Sequence, residues 1–75
     1  MSTPLHYSMV IQWSDEDEAF LVMLPEWTGR VLGPVSHGAT YEEAVKNGYE
    51  ALEALITSAT KHGEVLPAPQ IFAAA

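Results

Sequence analysis

The 75-residue chain sets ten acidic side chains against Arg30, Lys46 and Lys61, a formal net charge of −7, and it contains no cysteine. Disulfide stapling is therefore excluded, and the charge disfavours direct contact with nucleic-acid phosphates or anionic lipid headgroups. A domain this small buries only about 60% of the surface its unfolded chain exposes, so self-association, most simply into a homo-oligomer, is the expected source of extra stability.

The sequence is read as a single domain over 1–75, with an apolar fraction of 48% that suits a packed core rather than disorder. No basic-then-apolar leader is read at the N-terminus, and no apolar run approaches the roughly 20 residues needed to cross a bilayer. These features predict a cytoplasmic protein with no membrane contact.

From His6 to Trp13 the residues alternate, with Tyr7, Met9, Ile11 and Trp13 on one side, which predicts a strand with one wet face. Trp13 thereby reads as core. The run Ser14 to Glu18 is polar and charged, as a hairpin connection requires. Ala19 to Leu24 predicts a second strand that Pro25 stops, and both of its faces are apolar. Something must cover the second face, so Ala19, Leu21 and Met23 are candidates for an oligomer interface.

Pro25 to Gly29 reads as a turn, and Val31 to Ser36 as a short strand interrupted by Gly33 and Pro34. Thr40 stands three residues before Glu43, the capping-box spacing that opens a helix. Val45, Gly48, Tyr49, Leu52, Leu55, Ile56 and Ala59 recur at helical spacing as its buried side. Lys61, His62 and Gly63 supply cations and a left-handed cap at its end. A last edge strand is expected at Gln70 to Phe72, followed by a frayed tail at 73–75. The predicted class is α+β: a small antiparallel sheet of three to four strands with one helix packed across it, in the order β-β-β-α-β.

Chemistry is sparse. Asp15, Glu16, Asp17 and Glu18 lack the glycine and distal carboxylate of a calcium loop. His6, His37 and His62 form no local pair at metal-ligand spacing, so no metal or other cofactor is expected. Adjacent Ser36 and His37 do not make a nucleophile and base, and the glycines do not follow a dinucleotide fingerprint. The predicted strands carry no carboxylates with which a nuclease would hold magnesium, so no enzymatic activity is expected. Trp27, in the turn after Pro25, reads either as an exposed interface anchor or as a ring packed back on its own sheet.

Three features in this order resemble one known family: the acidic hairpin, the strand Phe20-Leu21-Val22-Met23-Leu24 running into Pro25-Glu26-Trp27-Thr28-Gly29, and the helix opening Gly38-Ala39-Thr40-Tyr41-Glu42-Glu43-Ala44. The chain is similar to HicB-like antitoxins of toxin-antitoxin systems from about Tyr7 to Pro69. The resemblance implies a partial ribonuclease-H-like fold. It also implies neutralisation, by protein–protein contact, of a small basic HicA-like toxin that cleaves messenger RNA. Many antitoxins of that family add a DNA-binding segment, and the residues after Gly63 show no basic cluster for one.

On this reading the partner-binding candidates are Asp15, Glu16, Asp17 and Glu18 as a steering field, with Glu26 and Trp27 as contacts. The alternative is an orphan oligomeric or ligand-binding domain with no toxin partner.

Overall fold

A computed structural model describes residues 6–73. The elements are β1 (Val10–Ser14), β2 (Ala19–Met23), a single 3-10 turn (Pro25–Trp27), β3 (Ser36–Gly38) and α1 (Tyr41–Lys61). The strands form one antiparallel sheet in the order β1-β2-β3, with α1 packed on one face, an α+β architecture. No helix among the described residues is long and apolar enough to cross a membrane.

The hairpin register pairs Val10 with Met23, Gln12 with Leu21 and Ser14 with Ala19 on one face, and Ile11 with Val22 and Trp13 with Phe20 on the other. Asp15 to Glu18 make the turn, closed by the Ser14 hydroxyl on the Asp17 carboxylate (2.9 Å) and the Asp17 N–H on the same hydroxyl oxygen (3.1 Å). Glu18 completes it at φ +52°, a left-handed conformation unusual for a residue with a side chain.

β1 begins later than alternation predicts. His6 takes φ +59° and the Ser8 N–H is captured by the Glu26 carboxylate, so residues 6–9 run outside the sheet. β3 is also displaced: Val31 belongs to the turn following Trp27, and Gly33 at φ +69° with Pro34 reverses the chain before pairing starts at Ser36. No strand forms at Gln70 to Phe72. Pro67 and Pro69 remove ladder donors there, and Ile71 and Phe72 are exposed.

α1 is capped at both ends. Thr40 Oγ1 accepts the Glu43 N–H at 3.1 Å, while the Glu43 carboxylate accepts from the Ala39 N–H, one residue earlier than the usual reciprocal arm. At the other end Glu64 N–H reaches Ala59 O (2.8 Å) and Gly63 N–H reaches Thr60 O (3.1 Å), with Gly63 at φ +71°. This is a Schellman motif, and it needs a residue free to adopt left-handed geometry at position 63.

The helix rests on Ala44, Gly48, Leu52 and Ala59. Val45 and Tyr49, which helical spacing assigns to the buried side, are 49% and 44% exposed. At 100° per residue they fall on the flank of the buried arc rather than at its centre. The main core gathers Leu24, Trp27, Leu52 and Ala59, with Tyr7, Met9, Val31, Val35, Leu55, Ile56 and Leu66 around them.

Candidate functional site

Trp13, which alternation assigned to the core, is the exposed tryptophan, and of the two readings of Trp27 the structure shows the ring packed within its own chain. Trp27 is only 1% exposed and Trp13 is 50% exposed. The 3-10 turn after Pro25 drives the Trp27 ring inward, where Tyr7 meets it edge-on (5.6 Å between centroids) and the Arg30 guanidinium covers it at 5.4 Å. The ring is therefore a core member and not an exposed anchor. Among the described residues its buried Nε1 finds no hydrogen-bond acceptor.

Trp13 lies at the far end of β1, where the sheet runs out. It packs edge-on against Phe20 (5.1 Å), which in turn meets Tyr41 at 4.3 Å, and its Nε1 donates to Asp15 Oδ1 at 2.6 Å. Alternation assigned Trp13 to the correct face of the sheet, but too little of the helix reaches that end to cover it.

Glu26 faces inward as well. Its carboxylate accepts the N–H of Ser8 (3.1 Å to each oxygen) and of Gln70 (2.8 Å), tying the N-terminal arm to the segment after the helix. Burial pushes its pKa up, but the hydrogen bonds from Gln70 and Ser8 outweigh that and hold it below the ordinary glutamate value. The same junction holds Tyr7, whose hydroxyl donates to Pro67 O at 2.6 Å, and Arg30, which donates to Val65 O at 2.6 Å. Burial and the nearby Glu26 charge raise the Tyr7 pKa, against a smaller opposing effect of Arg30. Glu26 is thus committed within the chain and does not belong with the hairpin carboxylates.

Asp15, Glu16, Asp17 and Glu18 project into solvent at the hairpin tip. Among the described residues the one ion pair is Lys46–Glu50 on the helix (3.8 Å), so the hairpin charge is not neutralised by any cation. Asp15 and Asp17 are oriented by Trp13 and Ser14. No group of three or more His, Cys, Asp or Glu side chains among the described residues is arranged to hold a metal.

Next to the hairpin, on the sheet face away from the helix, an open groove of about 450 Å³ runs between β2 and the segment entering β3. Ala19 and Leu21 form its apolar floor, Asp17 stands on its rim, and Val35 and His37 close the far side. Ala19 is buried, and Leu21 and Met23 are half-buried. The structure therefore joins Ala19 and Leu21, named as oligomer candidates, to Asp17, named as a partner candidate, in one groove. The spacing of two residues between Asp17, Ala19 and Leu21 already sets them on one side of the sheet; the opposite wall had no signal in the sequence, because it depends on the segment through Pro34 folding back beside β2.

The chain matches no family model, no curated protein and no solved structure.

Proposed function

We propose that this protein is a binding module for a basic protein partner, and that it acts as an antitoxin of the HicB-like kind by masking a small basic toxin. The observation that carries the reading is the hairpin: four consecutive carboxylates, no neutralising cation among the described residues, and directly beside them a groove of mixed lining in which Ala19 and Leu21 lie with Asp17, Ser36 and His37. An excess of one charge sign on an exposed turn raises the encounter rate with an oppositely charged surface. The groove floor of Ala19 and Leu21 offers the desolvated contact that holds such an encounter. Asp17 on the rim suits a lysine or arginine whose aliphatic stem lies along the floor and whose charged head meets the carboxylate. The sequence resemblance to HicB-like antitoxins adds a biological setting for a partner of that charge. Masking by contact, rather than catalysis, is the proposed mode of action.

The test is co-expression with the small basic protein encoded nearest to this chain, followed by binding kinetics on the purified pair. Replacing Asp15, Glu16, Asp17 and Glu18 with their amides should slow association, and the loss should shrink as rising salt brings the Debye length well below about 10 Å. Leu21→Ala should instead speed dissociation. Absence of any complex, or equal kinetics in both folded variants, would remove the hairpin and groove from the function.

A further inference from the structure

We propose that the aromatic ledge at the hairpin end of the sheet, formed by Trp13, Phe20 and Tyr41, seats an arginine side chain of a basic protein partner. The proposal rests on the basic-partner reading above and adds to it a second contact, on the helix side of the sheet and away from the groove. The three rings run in series. Trp13 meets Phe20 at 5.1 Å and Phe20 meets Tyr41 at 4.3 Å, so a half-buried middle ring ties two exposed ones together. Trp13 is 50% and Tyr41 65% exposed, and Val45, one helical turn beyond Tyr41, continues the apolar surface.

The surroundings of the ledge suit a cation rather than an apolar group. Asp15 and Glu16 follow Trp13 closely and Glu42 follows Tyr41, all three exposed in a chain of net charge −7. The chain's own cations are committed or distant. Arg30 covers Trp27, Lys46 pairs with Glu50, and Lys61 closes α1 about 30 Å from Tyr41 at 1.5 Å per residue. The positive end of the helix dipole also lies at Tyr41, and Glu42 and Glu43 in the first turn offset it.

The Trp13–Asp15 pair selects arginine among cations. Trp13 Nε1 donates to Asp15 Oδ1 at 2.6 Å, which fixes the ring and stations a carboxylate at its edge. An ionised carboxylate offers about four acceptor sites, and the indole uses one. A planar group lying on the exposed face of the ring therefore has carboxylate lone pairs within reach. A guanidinium meets both demands, because it stacks flat on an aromatic face, forks onto a carboxylate, and is less strongly hydrated than an ammonium. A lysine ammonium can pair with Asp15 but has no plane to stack. Ring and carboxylate are already held in place, so little side-chain freedom is lost when the arginine arrives. One seated side chain does not need the area of a whole interface, and tryptophan is among the residues most enriched at the few positions that dominate binding.

Nuclear magnetic resonance titration of the full chain with two capped heptapeptides tests the seat. One has the sequence Gly-Arg-Gly-Arg-Gly-Arg-Gly, and the other has lysine in place of each arginine. Their charges are equal, so a difference between them reports stacking rather than attraction to the acidic field. At low salt the arginine peptide should shift the Trp13 indole N–H resonance and leave that of buried Trp27 in place. It should bind about two- to fivefold more tightly than the lysine peptide, the gain of one exposed cation–π contact. Rising salt should weaken both peptides and preserve their ratio, because screening acts on charge and not on stacking. Trp13→Ala should bring the arginine peptide down to the lysine value. If that variant fails to fold, Trp13→Phe, which keeps a ring against Phe20 but loses the bond to Asp15, should lower the ratio toward one. Equal binding of the two peptides by the unmodified chain overturns the arginine seat while leaving the acidic steering field in place. A preference that survives substitution of Trp13 overturns it too. Binding of neither peptide at low salt would remove the basic-partner reading itself, and the seat with it.

Discussion

Gly48 of α1 lies directly over Val22 of β2: a Cβ placed on the glycine would stand 2.7 Å from Val22 Cγ1 and 3.1 Å from Met9 Sδ. This contact sets the distance between helix and sheet, and it explains a glycine in the middle of a helix where alanine would be better by about 1 kcal/mol. Gly48→Ala should nevertheless destabilise the protein by about 1–3 kcal/mol through overpacking. Adding Val22→Ala should make the alanine at 48 less costly, giving a coupling energy in a double-mutant cycle measured by denaturant unfolding. Additive effects would show that the two residues do not share this contact.

Gly38 should be less forgiving still. A Cβ there would meet backbone, including Ala44 Cα at 2.8 Å, and backbone cannot rotate aside. Gly38→Ala should therefore lower the melting temperature more than Gly48→Ala does, and shortening a neighbouring side chain should not rescue it.

The burial of Trp27 and the exposure of Trp13 are open to a spectroscopic check. With Trp13→Phe, the remaining Trp27 should emit at short wavelength and resist acrylamide. With Trp27→Phe, the remaining Trp13 should be quenched readily. Trp27→Ala should cost about 3–5 kcal/mol, a large share of the about 5–15 kcal/mol typical of a whole domain, whereas Trp13→Ala should cost about 1 kcal/mol.

The Glu26 junction predicts a pH dependence. Its pKa is lowered in the folded chain, so its contribution to stability is present above the ordinary glutamate value and is lost as the pH falls through the lower folded value. Glu26→Gln should flatten that acid limb and loosen the contact between residues 8 and 70, seen as faster amide exchange at Ser8 and Gln70. An unchanged acid limb would assign the pH dependence to other carboxylates.

Glu18 at φ +52° carries a side chain where none is favoured. Glu18→Asn should raise stability by about 0.5–1 kcal/mol in thermal unfolding, because asparagine tolerates the left-handed region. Binding to a basic partner should weaken slightly through the lost charge, a change that salt would erase.

The devices that the sequence determined by itself are those whose partners lie within a few residues. Thr40 and Glu43 cap one helix end, Gly63 ends it, and Ser14 to Glu18 make a hairpin, because each depends on local backbone geometry and short-range hydrogen bonds. Alternation also placed Ile11 and Trp13 on one face of the sheet. What alternation does not contain is how far α1 extends over that face. Tertiary structure alone decided that Trp13 is half-exposed while Trp27 is buried, and that Val45 and Tyr49 flank the core instead of filling it. It also decided that Glu26 ties Ser8 to Gln70, 62 residues apart, and that the segment through Pro34 walls a groove beside Asp17, Ala19 and Leu21. Burial depends on what covers a side chain from elsewhere in the chain, and residue spacing within one segment carries no record of that.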